Sequence, residues 1–299
     1  MGLLETFSRL KAESFRFLPT NQMSRVWGKF SRAAISRRAI PAFAWIWGID
    51  VNEAELALAD YLTLNEFFTR RLKTGMRPID PDPGVVVSPV DGRVISVGVC
   101  DQDRILQVKD INYSLVDLLG DAARSRKFEN GSYVTIYLSP FNYHRIHAPI
   151  DMHITGFSYI PGNLLPVNPP SVQWVTGLYT QNERLILYAD TPAGKLALVM
   201  VGANCVGSIR LIFNDVATNQ AGVSPKHENF PAPIDVFKGD EVAVFEMGST
   251  VVLILEPERA RFDRLQVGMS ICMGQGVGTV LGKKTAFPDQ SKRRKKSNE

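Results

Sequence analysis

The stretch VFKGDEVAVFEMGSTVVLILEPE places a Gly-Ser-Thr between two apolar segments. Val242–Phe245 and Val251–Leu255 are typical of strands, yet the residues between them do not match the Asn-Gly or Asp-Gly turn of a tight hairpin. Ser249 brings a hydroxyl, a potential nucleophile, to this position. The composition of the turn alone does not explain why it lies there.

Two histidines and one aspartate could act with that hydroxyl. His144 and His147 lie three residues apart in LSPFNYHRIHAP, and Asp91 lies at a predicted turn in SPVDGRV. An i, i+3 pair points to opposite faces of a strand but shares one face of a helical turn, so the spacing leaves the geometry open. An acid that orients an imidazole, which takes a serine proton, forms a nucleophilic triad. Almost every protein contains these residue types, so composition does not establish a triad.

The elements that position these residues fall into three predicted regions. Residues 1–75 are typical of helices, residues 76–282 of short strands punctuated by Gly and Pro, and residues 283–299 of a basic tail. We therefore predict an α+β fold, with a helical, membrane-associating N-terminal region on a mostly antiparallel β-sandwich or barrel-like body. The segment YLTLNEFFTRRLKTGMRPID is interpreted as one more helix, ending before Pro78.

The net charge of +4 is unevenly distributed. Residues 1–42 carry eight Lys/Arg and two Glu, and residues 283–299 carry seven Lys/Arg and two acids, which leaves a net charge of −7 on the middle. Nucleic-acid binding is not favoured, because a basic core and aromatic readout modules are missing. The three cysteines are far apart, which indicates reduced thiols in a cytosolic setting.

The N-terminal region carries a candidate membrane surface. Apolar residues recur at helical spacing at Met23, Val26, Trp27, Phe30, Ala33 and Ala34. Three basic residues lie off that stripe: Arg25, Lys29 and Arg32. No stretch reaches the roughly 18 apolar residues of a spanning helix, and we recognise no secretory signal. We therefore expect a peripheral protein on the cytoplasmic face of a membrane; the alternative is a helical hairpin packed on the core.

Seven segments occur in one order along the chain: FFTRRL…RPID, SPVDGRV, YHRIHAP, PGNLLPVN, NERLILY, VGANCVGSI and KGDEVAVFEMGST. Together they resemble the phosphatidylserine decarboxylases of the bacterial type, from about Leu62 to Met273. In that family the serine of a Gly-Ser-Thr becomes a pyruvoyl group by self-cleavage, and the matching residues here are Gly248, Ser249 and Thr250. Met247 stands where the family most often has Leu, a change that keeps a similar apolar volume.

The resemblance implies that the chain cuts itself between Gly248 and Ser249. His147, oriented by Asp91, would remove the Ser249 proton. The alkoxide would then attack the carbonyl of Gly248, which is open to approach because glycine lacks a Cβ. The amide becomes an ester, elimination releases residues 1–248, and hydrolysis leaves a pyruvoyl cap on residues 249–299.

The implied pyruvoyl group would serve as the electron sink in place of pyridoxal phosphate, and no metal is implied. The amine of phosphatidylserine would form a Schiff base with it, CO2 would leave, and phosphatidylethanolamine would result. His144 is implied as the acid that protonates the carbanion. We expect PGNLLPVNPP to border the entry of the lipid. The implied partners are the phospholipid, an anionic membrane surface and the two cleaved chains, with a homodimer left open.

Two other functions are weighed against this one. A serine hydrolase using Asp91, His147 and Ser249 is disfavoured, because Ser249 lacks the G-x-S-x-G elbow between a strand and a helix. A non-catalytic carrier or scaffold with a biotinyl- or lipoyl-like β body is also disfavoured. Such carriers need a lysine at a hairpin tip, and EMGST has none.

Overall fold

The structure, a computed structural model, describes residues 18–281 except 109–110, 205–207, 221 and 247–248. The predicted basic tail, Met247, Gly248 and Cys205 therefore lie outside the described residues. The α-helices are α1 (Thr20–Arg32), α2 (Ile40–Trp47), α3 (Leu64–Phe68), α4 (Leu115–Leu119), α5 (Ala122–Ser125), α6 (Pro169–Trp174) and α7 (Leu178–Gln181). Short 3-10 helices cover Ala34–Ala39, Val51–Glu53, Leu58–Asp60 and Arg126–Phe128.

The strands cover most of the chain after residue 84. They are β1 (Val85–Val87), β2 (Gly92–Val99), β3 (Arg104–Val108), β4 (Ile111–Ser114), β5 (Ser132–Leu138), β6 (Arg145–His147), β7 (Met152–Ile160), β8 (Arg184–Thr191), β9 (Gly194–Gly202), β10 (Ser208–Leu211), β11 (Lys226–Val236), β12 (Glu241–Glu246), β13 (Ser249–Leu255), β14 (Ala260–Arg261), β15 (Ser270–Ile271) and β16 (Gly276–Val280). The predicted α+β class, with a mostly antiparallel β body, is confirmed.

Eight strands form the main sheet, in the order β11-β7-β8-β9-β13-β5-β2-β15. Neighbouring strands in it are antiparallel. The sheet is open, with β11 and β15 as its edges, and no closed barrel forms among the described strands. Because β13 lies in the interior of the sheet, its first residue, Ser249, is held by a strand on each side.

The sequence of β13, STVVLIL, explains its central position. Every one of its residues is buried, and β-branched and large apolar side chains suit a strand that is covered on both faces. Alternate residues enter different cores, as the two-residue period of a strand requires. Val251 and Leu253 join the larger hydrophobic cluster, whereas Val252 and Ile254 join the cluster on the other face.

A separate three-stranded sheet, in the order β10-β12-β6, positions the two histidines. β6 pairs with β12, with His147 opposite Glu241 and Arg145 opposite Val244. The Phe245 amide donates to the carbonyl of His144 (2.9 Å). Since β12 leads through residues 247–248 into β13, this pairing ties the His144 segment to the strand that precedes Ser249.

Helix α1 is amphipathic, and it packs on the rest of the protein with its hydrophilic face, whereas a core helix would bury its apolar face. Its buried residues are small and hydrophilic: Thr20, Ser24, Gly28 and Ser31. Three members of the predicted apolar stripe, Met23, Val26 and Phe30, are instead exposed. A hydrophobic cluster separate from the two in the β body holds the N-terminal helices together, and it includes Ile40, Leu64 and Phe67. The apolar stripe of α1 therefore faces outward.

The predicted single helix over YLTLNEFFTRRLKTGMRPID is wrong beyond Phe68. Only Leu64–Phe68 is α-helical, with the Thr63 side chain accepting a hydrogen bond from the Glu66 amide at the N-cap. The next residues satisfy their backbone groups with an earlier segment: the Arg71 carbonyl accepts from Glu55, and the Lys73 amide donates to Glu53. These long-range bonds replace the i to i−4 bonds that a continued helix would need.

Candidate active site

Ser249 lies between Gly202 of β9 and Leu138 of β5. Its side chain is fully buried, and its Oγ has no hydrogen-bond partner among the described residues. An unpaired buried hydroxyl costs about 1–3 kcal/mol relative to a satisfied one. Such a group in a folded protein calls for an explanation, and a reactive role is one.

A cavity of about 680 Å³ opens at Ser249. Four aromatic side chains from the N-terminal helices line it: Trp27, Phe43, Trp47 and Phe68. The β body contributes the other wall, with Tyr137, Leu138, Pro140, Pro166, Val167, Asn168, Ala203 and Asn204. The segment PGNLLPVNPP, expected to border lipid entry, thus supplies part of this wall. A concave, mostly apolar space with a few polar groups is typical of a ligand site.

His144 lies next to Phe68, one of the residues that line this cavity. It is fully buried, and its ring packs on Phe68 with 3.9 Å between the ring centroids. Nδ1 is 2.7 Å from the carbonyl oxygen of Asn142, so Nδ1 carries the proton and donates it. Nε2 is left with a free lone pair and has no partner among the described residues. Burial, followed by the nearby charge of Arg70, lowers the pKa of His144 to about 3, so the ring is neutral at physiological pH.

His147 differs from His144 because both its ring nitrogens have partners. Nδ1 donates to the carbonyl of Gly239 (2.8 Å), and Nε2 accepts from the hydroxyl of Tyr143 (3.0 Å). Burial lowers the pKa of His147, and the hydrogen bond to Gly239 opposes that shift. In this neutral tautomer the lone pair is on Nε2, so Nε2 is the atom that can accept a proton.

Asp91 lies close to His147 but does not contact it directly. The His147 amide donates to the carbonyl of Pro89, which brings the two segments together. The Asp91 carboxylate is bound by Arg77, with its shortest contact at 2.6 Å, and by the Met273 amide at 2.8 Å. The structure therefore places Ser249 at the cavity and His144 in contact with Phe68, which lines the same cavity. It does not bring Asp91, His147 and Ser249 into mutual hydrogen-bond contact, so the predicted triad remains a prediction.

Exposed apolar side chains lie on the elements that line the cavity. We call this set the apolar rim: Phe30, Trp45, Ile46, Trp47 and Phe141. Phe30 packs on the cavity residue Trp27, with 5.4 Å between ring centroids, and Phe141 follows the cavity residue Pro140. Trp45 is 84% exposed and Ile46 is 66% exposed. Several large apolar side chains exposed on the elements around one cavity point to an interaction site.

Sequence reasoning missed several residues of this site. Phe68 and Asn204 lie inside the motifs FFTRRL and VGANCVGSI, but the sequence does not indicate that they belong to the site. Arg70 lies in the segment predicted to be helical. Arg70 is 4% exposed, and its guanidinium is 5.4 Å from the ring centroid of Phe67. The only available signal was the position of an arginine inside FFTRRL, an apolar segment where a charge is costly.

Two negative findings concern the described residues only. They contain no group of three or more His, Cys, Asp or Glu side chains arranged to hold a metal ion. None of their helices is both long enough and apolar enough to cross a membrane.

Comparison with known proteins gives one consistent result. The sequence model of the family described as Phosphatidylserine decarboxylase matches residues 64–279. The chain is 44% identical over 281 residues to the phosphatidylserine decarboxylase proenzyme of Myxococcus xanthus, covering 92% of this chain and 99% of that protein. It is 43% identical to the proenzyme of Anaeromyxobacter sp. (90% and 98% covered) and 39% identical to that of Brevibacillus brevis (88% and 95%).

Proposed function

The chain belongs to the phosphatidylserine decarboxylase family, and we propose that phosphatidylserine loses CO2 in the cavity at Ser249, giving phosphatidylethanolamine. The observation that carries this assignment is the unpaired, fully buried Oγ of Ser249 at the floor of an apolar cavity. A hydroxyl there is poorly placed to stabilise the fold but well placed to react.

We propose that maturation is a self-cleavage between Gly248 and Ser249, as the word proenzyme in the names of its relatives suggests. The Ser249 hydroxyl attacks the Gly248 carbonyl, the amide becomes an ester, and elimination separates residues 1–248 from residues 249–299. The placement of Ser249 on an interior strand supports this step, because β5 and β9 fix the residue on both sides. Fixed reacting groups lower the entropic part of a barrier.

We propose His147 as the base that takes the Ser249 proton, with Asp91 as the charge that favours the resulting imidazolium. Two observations support this assignment: Nδ1–H donates to Gly239, which leaves the lone pair on Nε2, and the charge of Asp91 favours the protonated ring. To act, Nε2 must exchange its hydrogen bond from Tyr143 for one from Ser249.

The residues around Ser249 fit a pyruvoyl group formed from that serine. The group would form from the whole of Ser249, whose Cα would become the ketone carbon as its backbone nitrogen leaves as ammonia, at a residue that already lines the cavity, and it would need no metal ligands. When bound, a pyruvoyl group supplies a carbonyl that accepts the electrons left behind by departing CO2. The side chains of Phe68 and Tyr137 line the cavity beside it.

We propose His144 as the residue that returns a proton to the substrate carbon after CO2 has left. Its Nε2 is unpartnered and buried, and its ring is fixed by the Asn142 carbonyl and the Phe68 ring. A positioned general acid or base typically contributes 10²- to 10⁴-fold in rate.

We propose that the apolar rim rests in the membrane surface and delivers the lipid to the cavity. Because Trp27, Phe43 and Trp47 line the cavity from the helices that carry the rim, a headgroup could enter while its acyl chains remain in the bilayer. Aromatic side chains favour the interface between lipid and water. The basic residues Arg25 and Lys29 of α1 would add attraction to anionic headgroups.

The two rival functions receive less support. Ser249 begins a strand and is followed by six more strand residues, so the sharp strand-to-helix elbow of a hydrolase nucleophile is not formed there. A carrier would need a modifiable lysine at this turn, and the sequence has none in EMGST.

The test measures CO2 release from carboxyl-labelled phosphatidylserine by wild-type protein, Ser249→Ala and Ser96→Ala. Ser96 is a matched control, because it is another buried strand serine and does not line the cavity. We expect activity to be abolished in Ser249→Ala and retained in Ser96→Ala. Activity in a folded Ser249→Ala protein would refute the proposed site.

A further inference from the structure

Arg70 is a buried cation without a carboxylate partner among the described residues. It is 4% exposed, and one of its nitrogens, Nη2, donates to the carbonyls of Phe141 (2.9 Å) and Asn142 (3.4 Å). Its Nε and Nη1 have no hydrogen-bond partner among the described residues. Burial lowers the pKa of Arg70, and nearby acids oppose that shift only in part. Burying a charge without a counter-ion destabilises a fold by several kcal/mol, so stability does not explain this arginine.

Arg70 contacts the segment that carries His144. Residues 139–144 connect Leu138, the neighbour of Ser249, to β6. The Asn142 carbonyl receives both Nη2 of Arg70 and Nδ1–H of His144. The arginine and the histidine therefore meet at one oxygen atom, and the arginine helps to fix the carbonyl that decides the His144 tautomer.

We propose that Arg70 is a positioning residue: it holds the Asn142 carbonyl that orients the His144 ring, and it places a positive charge near that ring. This inference rests on the proposed part of His144 in decarboxylation. It adds a source for the proton that His144 later donates, because a neutral ring with a free Nε2 enters the reaction as a base.

The proton delivered to carbon then comes from the substrate itself, and the product amine takes up one proton from solvent on release, because replacing a carboxylate by a C–H bond consumes one proton overall. The substrate arrives with an ammonium group, which must lose a proton before its nitrogen can react. Nε2 of His144 accepts that proton: one N–H bond of the ammonium breaks and an Nε2–H bond forms. The carboxylate and phosphate of the entering lipid offset the charge of Arg70 and favour the protonated ring. After CO2 has left, the Nε2–H bond breaks and a C–H bond forms at the same carbon.

The test has one readout that does not depend on activity. The pKa of His144 is measured by NMR with labelled histidine in three uncut proteins. All carry Ser249→Ala; one keeps Arg70, and the other two carry Arg70→Met or Arg70→Lys. We expect Arg70→Met to raise the His144 pKa by roughly one pH unit, as loss of a neighbouring like charge does. Arg70→Lys, which keeps the charge, should leave it nearly unchanged. Arg38→Met, a loss of charge at an exposed position, is the control and should not shift it.

The second readout is the pH dependence of decarboxylation in the matured variants. In Arg70→Met the acid limb of kcat should move to higher pH together with the His144 pKa. In Arg70→Lys the limb should stay in place while kcat falls, because the ammonium of the shorter lysine side chain does not occupy the Nη2 position that contacts both carbonyls. If His144 titrates identically in all three proteins, the inference about Arg70 is wrong. If the His144 pKa shifts but the pH profile does not, the error lies in the proposed part of His144 itself.

Discussion

Replacing Trp45 and Ile46 by serine tests whether the apolar rim holds the protein on a membrane. These two residues are better targets than Trp27 and Phe30, because Trp27 lines the catalytic cavity and its loss would also change the site. Trp45 and Ile46 are 84% and 66% exposed, so their replacement should change stability by no more than about 0.5 kcal/mol.

The magnitude follows from the exposed area. A tryptophan offers about 150–250 Å² of surface, of which 84% is available at Trp45. At about 25 cal/mol per Å², complete burial of that area contributes roughly 3–5 kcal/mol, and Ile46 adds about 1–2 kcal/mol. If half of this area enters the interface, the double variant loses about 2–3 kcal/mol, which is a 30- to 150-fold weaker membrane affinity.

The assay is sedimentation with vesicles at low and high salt, alongside thermal unfolding. Because the lost contribution is apolar, the deficit should be similar at 0.1 M and 1 M salt, whereas charge contributions shrink as the Debye length falls to about 3 Å. Val99→Ser is the control: Val99 is 62% exposed but pairs with Ser132, at the opposite end of β5 from Leu138 and Ser249. Unchanged vesicle binding by a folded Trp45→Ser/Ile46→Ser protein would refute the membrane-facing rim.

Three further predictions concern the histidines. His147→Ala and Asp91→Ala should block maturation on denaturing gels, whereas His144→Ala should still mature but release CO2 about 10²- to 10⁴-fold more slowly; equal failure of cleavage in both histidine variants would contradict this division. Tyr143→Phe should mature at least as fast as wild type, because loss of the phenol frees Nε2 of His147; slower cleavage in a time course would place the phenol in the proton path. Because the pKa of His144 is lowered to about 3 from an unfolded value of about 6.5, the unfolded state binds more protons between these values, and stability should fall as pH drops through that range. His144→Asn, in the uncut Ser249→Ala protein, should flatten that loss in urea unfolding at several pH values, and an unchanged slope would show that His144 is not buried in its neutral form.

The strands were accessible from the sequence because their patterns are strong. The predicted strand segments Val242–Phe245 and Val251–Leu255 lie within β12 and β13, because both are uninterrupted apolar runs. The Gly-Ser-Thr was visible for the same reason: it interrupts an apolar run. Local pattern alone was sufficient wherever both faces of an element are buried.

The N-terminal region could not be predicted in the same way, because its contacts are distant in sequence. An apolar stripe on α1 does not say whether it faces the core or the outside, and here Ser24 and Gly28 face the body instead. Residues 71–73 leave the helix because residues 53–55 offer backbone partners. The sequence also does not reveal the ion pair between Arg77 and the carboxylate of Asp91, since that contact depends on the folded geometry.

Mass spectrometry of the purified, active protein under denaturing conditions tests the central claim most directly. We expect two chains, residues 1–248 and residues 249–299, with the second lacking a free amino terminus and carrying the mass of a pyruvoyl cap. Ser249→Ala should give a single chain of 299 residues. An active preparation that contains only the intact chain, or a second chain that begins with an unmodified Ser249, would contradict the account.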